Sequence, residues 1–149
     1  MLINAPKVST DEMKHPEAGA APETNETVII NVLQVQPKLE FAVLVGSQAD
    51  GTSSIESDWD IALQWSPRLN WLDRLGNIET LRRQLAKCIG VDETLIDLID
   101  LSRANLAMRA SVAEEGKSLK GEDGLAWAYF LQRTWQEIED FNWGKHHAA

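Results

Sequence analysis

Residues 41–65 read FAVLVGSQADGTSSIESDWDIALQW, and the fold follows from this stretch. Phe41 to Val45 are apolar without alternation, as expected of a strand covered on both faces. Gly46-Ser47 then makes a turn, ten residues follow, and Asp58-Trp59-Asp60 opens a second apolar strand. Successive strand side chains point to opposite faces, so Asp58 and Asp60 share one face while Trp59, Ile61, Leu63 and Trp65 share the other. The spacing brings a tight turn and two carboxylates to the same end of neighbouring strands.

Those residue types suit phosphate chemistry. Two carboxylates this close repel unless a cation lies between them. Mg²⁺ suits them, being a hard ion that takes oxygen ligands and keeps positions for water and substrate phosphates. A glycine lets the backbone approach a phosphate, whose oxygens nearby N–H groups and the Ser47 hydroxyl can hold. Either half alone is a weak signal, since Asp-x-Asp also decorates turns and edges and Gly-Ser is an ordinary turn. Together, between two apolar strands, they point to a nucleotidyl-transfer site.

Gly-Ser, ten residues, then Asp-x-Asp resembles the signature of the minimal nucleotidyltransferase family, a branch of the DNA polymerase beta-like superfamily. Gly46, Ser47, Asp58 and Asp60 match its fixed positions, and a looser likeness runs from residue 26 to the end of the chain. Length and downstream pattern are most similar to the antitoxins of HEPN/MNT toxin–antitoxin pairs. The resemblance implies an α/β fold, a small mixed sheet with flanking helices. It implies a Mg²⁺-dependent enzyme, with one or two ions, that moves AMP from ATP to a tyrosine of a HEPN ribonuclease toxin. Gly46 and Ser47 would hold the nucleotide, and Asp58 and Asp60 would serve as metal ligands and catalytic acids.

The resemblance also implies a third carboxylate, from the strand LIDLIDL at Leu95–Leu101. It would bind metal and act as general base or orient the attacking hydroxyl. Asp97 and Asp100 lie on opposite faces of that strand, so they cannot both serve. The family's apolar-Asp-Leu-apolar pattern favours Asp97, and Asp100 suits capping the next helix. Many relatives carry arginine where this chain has Gln48 and Asp50, which sets a negative charge beside the phosphates. The toxins of such pairs are marked by Arg, four to six residues, then His, a spacing that does not occur here. Nor is there a Gly-x-x-x-x-Gly-Lys loop of the kinase-like kind.

Composition agrees with this reading. The chain of 149 residues suits one domain and is long enough to bury a core. It has no apolar run near the ~20 residues a membrane helix needs and no secretory pattern. A lone cysteine, Cys88, excludes an internal disulfide framework and suits a reducing cytoplasm. It is expected to be a small core residue. A net charge of −9 argues against direct nucleic-acid binding and allows a basic protein partner.

Residues 1–25, with three prolines and little apolar content, are expected to be a flexible leader to a transferase domain over 26–149. A helix is expected at Glu26–Gln36, ended by Pro37, and another from the Asn70 cap to Cys88, closed by Gly90. Trp71, Leu75, Ile78, Leu81 and Leu85 give the second helix its apolar spacing, and Arg82 and Arg83 read as its solvated face. A helix over Ala104–Glu115 follows, then a last one over Gly124–Asn142. In the last, Trp127, Leu131, Trp135 and Ile138 form the packing stripe and Tyr129 sits in the packed helix. Its surplus tryptophans suit a partner surface. Two further functions fit the same residues: capture of the toxin without catalysis, or adenylylation of a small-molecule hydroxyl. The short chain, with no second domain to hold a sugar, argues against the latter.

Overall fold

The computed structural model describes residues 23–53 and 57–147. The first helix, α1, spans Asn25–Gln34 and is capped by Thr24, whose side chain accepts from Thr27 N. Of the expected leader, residues 1–22 lie outside the described residues, and Asn25 already belongs to α1. Strand β1 (Leu39–Val45) precedes a single helical turn, α2 (Ser47–Asp50). Then come β2 (Trp59–Trp65), α3 (Trp71–Ile89), β3 (Ile96–Asp100), α4 (Leu106–Glu115), β4 (Lys117–Lys120) and α5 (Leu125–His147).

The sheet is mixed, in the order β3-β2-β1-β4. β1 runs antiparallel to β2 and β4, and β2 runs parallel to β3. This is the small α/β sheet with flanking helices that the sequence implied. The parallel β2–β3 pair requires a crossover, and α3 supplies it.

Both faces are covered, which explains the unbroken apolar run of β1. Ala42, Leu44, Ile61 and Leu63 pack with Ile29 and Leu33 of α1 and with Leu81 and Leu85 of α3. Phe41, Val43, Val45 and Ala62 pack on the other face with Val112 of α4 and Phe130 of α5. An irregularity between Leu39 and Phe41 lets Leu39 join the first face out of strict alternation. Phe41 meets Trp127 and Phe130 edge-on, with centroids 5.0 and 5.4 Å away.

β4 was not expected from the sequence. Lys117-Ser118-Leu119-Lys120 offers one buried apolar residue, Leu119, and two cations. Such a segment reads as a loop until pairing with β1 makes it an edge strand. The junction is tight at Gly116, where a Cβ would collide with Val43 Cγ1.

Three side-chain expectations are corrected. Trp71 and Leu75 follow the helical spacing of α3, yet they are 55% and 44% exposed, and the buried residues of the helix begin only at Ile78. Cys88 is exposed rather than buried. Tyr129 is 64% exposed, since α5 buries Phe130 and Thr134 instead.

Candidate active site

β1 ends at Val45, whose partner across the antiparallel pair is Asp60. Gly46 follows with φ +75 and ψ −157, a conformation essentially restricted to glycine. A Cβ built there would lie 2.5 Å from Asp60 Oδ2. The turn therefore passes directly over the carboxylate. Ser47 opens α2, and its carbonyl accepts from the N–H groups of Gly51 and Thr52.

Asp60 in turn pairs in register with Asp97 across the parallel strands. Ile61 and Leu98, one residue on, both face the α1/α3 core, so Asp60 and Asp97 share the opposite face. Burial pushes the Asp60 carboxyl up from its ordinary range. The negative charges of Asp97 and then Asp58 add to the effect, as does a hydrogen bond with Asp97. Asp58 lies exposed, one residue before β2, where the sequence placed it within the strand. Asp97 is exposed and Asp60 half-buried.

Asp100 is engaged elsewhere. Its Oδ2 accepts from Arg74 Nε at 3.0 Å, and its Oδ1 accepts from Ser102 N and Oγ at 3.1 and 2.7 Å. It caps a short turn at the far end of β3. Arg82 and Arg83 are likewise engaged with acids, Glu79 at 2.8 Å and Glu93 at 4.0 Å.

The loop between turn and carboxylates is more ordered at its start than its composition implies. Asp50 Oδ1 accepts from Thr52 N and Oγ1 at 3.0 and 2.6 Å, and these bonds hold its carboxyl below the usual range. Gln48 Nε2 donates to Ser57 O at 3.4 Å and so clasps the loop across its mouth. Nothing in the sequence pattern signals that clasp. Residues 54–56 of this loop lie outside the described residues.

Among the described residues, no three Asp, Glu, His or Cys side chains are gathered into a ready-made metal cage. Mg²⁺ does not require one, since it keeps several waters and is held by one or two carboxylates plus substrate phosphates. A mutually repelling Asp60–Asp97 pair beside an open turn fits that habit. Two grooves of the described surface lie elsewhere. One, of about 550 Å³, is lined by Glu40, Gln64, Tyr129 and Arg133. The other, of about 590 Å³, is lined by Asp100, Arg103 and Met108.

Residues 27–124 match the family described as polymerase beta, nucleotidyltransferase. The chain is 35% identical over 100 residues to the protein adenylyltransferase MntA of Shewanella oneidensis, covering 66% of this chain and 67% of that protein. To the MntA of Aphanizomenon flos-aquae it is 28% identical, covering 70% and 72%. Among solved structures it resembles a toxin–antitoxin crystal structure with AMP-PNP, at 28% identity and a TM-score of 0.62, over 83% of this chain and 94% of that one. It also resembles the MNT antitoxin in complex with the tri-AMPylated Shewanella oneidensis HEPN toxin, at 27% identity and a TM-score of 0.58 over 82% and 90%. No described helix is long and apolar enough to cross a membrane.

Proposed function

The chain belongs to the polymerase beta nucleotidyltransferase family, and on that premise we propose that it is an antitoxin that transfers AMP from ATP to a tyrosine of a HEPN ribonuclease toxin. The observation that carries this reading is the contact of the Gly46 turn with Asp60, itself in register with Asp97. The similarity to an adenylyltransferase and to an antitoxin seen with an AMPylated toxin supports both the reaction and the acceptor. The AMP-PNP structure supports ATP as donor.

In this reading the transferase domain begins at α1, capped by Thr24, and the residues before it form its leader. Gly46 leaves room for the triphosphate to lie close to the backbone, and Ser47 offers a hydroxyl to its oxygens. Asp58, Asp60 and Asp97 hold one or two Mg²⁺ ions, which supply charge neutralisation at the phosphates. The acceptor's tyrosine oxygen attacks the α-phosphorus in line. An O–Pα bond forms, the bond to the bridging oxygen breaks, and pyrophosphate leaves with that electron pair. The exposed Asp97 carboxylate takes the hydroxyl proton. The exposure of Asp58 and Asp97 suits this chemistry, because nucleotide and protein acceptor both arrive from solvent. The reading places the chain in the cytoplasm, which a lone exposed Cys88 suits.

Purified chain and cognate toxin, given Mg²⁺ and ATP labelled at either the α- or the γ-phosphate, test it. Label enters the toxin from the α-position only. Failure of α-label to enter overturns the reading.

A further inference from the structure

Among the described residues, the strands and the turn that frame the proposed site carry no positive charge of their own. Between Lys38 and Arg68 the sequence has no lysine, arginine or histidine, while the turn and the start of β2 bring Asp50, Asp58 and Asp60. Asp97 adds another acid from the neighbouring strand. Lys38 and Arg68 flank the opposite ends of β1 and β2 from the Gly46 turn. Four other cations of the described residues are engaged with partners of their own. Lys117, across β1 at Leu44, is held by Glu26 at 2.8 Å. Arg74 is held by Asp100, Arg109 by Glu137, and Lys120 donates to Gln36 O at 2.8 Å.

A triphosphate carries more negative charge than one Mg²⁺ neutralises, and Asp50 stands four residues past the Gly46 turn as a further anion. Its carboxylate is held in its ionised form by Thr52, so it does not escape the problem by taking up a proton. Phosphoryl-transfer sites short of positive charge are completed elsewhere by a cationic side chain from a second protein.

Resting on the adenylyltransferase reading, we propose that the acceptor protein lends this site a lysine or arginine, which docks against Asp50 and the triphosphate. The chain alone is then a poor nucleotide binder, and the acceptor both receives AMP and assembles the site that delivers it. Transfer is thereby confined to the docked pair, and the free antitoxin does not expend ATP on other hydroxyls.

The test measures binding of Mg²⁺ and α,β-methylene ATP, which cannot transfer, to the chain alone and to its complex with the cognate toxin. The complex binds about tenfold tighter, the scale of one well-placed charge contact near a protein surface. Asp50→Arg raises the affinity of the chain alone toward that of the complex, and Asp50→Asn shrinks the difference between the two. Lys87→Ala removes an exposed cation in the last turn of α3 and leaves both affinities unchanged. Equal affinities for chain and complex, or a loss with Lys87→Ala, overturn the proposal. Ordinary ATP given to the same complexes separates the two readings. Equal affinities with AMP transfer intact remove this inference alone, whereas no transfer at all removes the functional reading and this one with it.

Discussion

Gly46 and Asp60 are in contact: a single methyl group on the glycine would lie 2.5 Å from the carboxylate oxygen. The turn that would receive the triphosphate and the acid that would hold its metal are thus two sides of one small feature. Gly46→Ala therefore both strains the backbone and pushes the carboxylate aside. The strain costs about 1–3 kcal/mol. A lowered thermal midpoint together with at least a tenfold drop in AMP transfer is expected. Wild-type transfer by this variant would show that the contact does not matter.

The two acids of β3 are expected to separate cleanly. Asp97→Asn removes a charge that faces Asp60, so it abolishes transfer while leaving stability unchanged or slightly raised. Asp100→Asn weakens the bond from Arg74, whose side chain is 17% exposed, and keeps transfer. Its cost is about 1–2 kcal/mol, as for a hydrogen bond to a charged group with some solvent screening. Paired denaturation and transfer assays decide the matter, and the opposite pattern would make Asp100 the functional acid.

Asp60 gives a pH signature. Its folded carboxyl titrates above the ordinary range, so the folded state binds the proton more tightly than the unfolded chain. That group favours folding below its unfolded pKa, and the advantage is lost as pH rises through the folded value. Without metal, wild type should lose stability relative to Asp60→Asn across that window. Mg²⁺ should restore it in wild type only. Midpoints measured against pH, with and without Mg²⁺, check this.

Glu137 runs the other way. Its carboxyl is lowered chiefly by the hydrogen bonds from Arg109, one of them Nη2 to Oε1 at 3.2 Å. The stability it adds is present above the ordinary glutamate pKa and lost as pH falls through the lowered one. Arg109→Ala should flatten that acid limb and loosen α5 against α4, read by hydrogen exchange along α5. An unchanged acid limb would mean that the pair does not tie the helices.

The sequence revealed the centre of the molecule better than its rim. Phe41–Val45 was legible because burial on both faces leaves an uninterrupted apolar run, and the Gly46 turn and the strand ending at Trp65 because Gly-Ser and Asp-x-Asp bracket them. The Asn70 and Gly90 caps of α3 were legible because each answers a local backbone need. β4 was not, since an edge strand with one buried residue has no local signature. Helical spacing alone also misjudged Trp71 and Leu75, because period reports a face and not how much of its length is covered. At the site, the residue types were legible and their spatial pairing was not. That Asp60 stands opposite Asp97 follows from the β2–β3 register, and register is set by long-range pairing.

The most direct test is the intact mass of the cognate HEPN toxin after incubation with Mg²⁺, ATP and either wild-type chain or the Asp58→Asn/Asp60→Asn variant. We expect whole AMP increments with wild type and none with the variant, which should still fold and bind the toxin. An unmodified toxin with wild type, or increments that persist with the variant, would contradict the account.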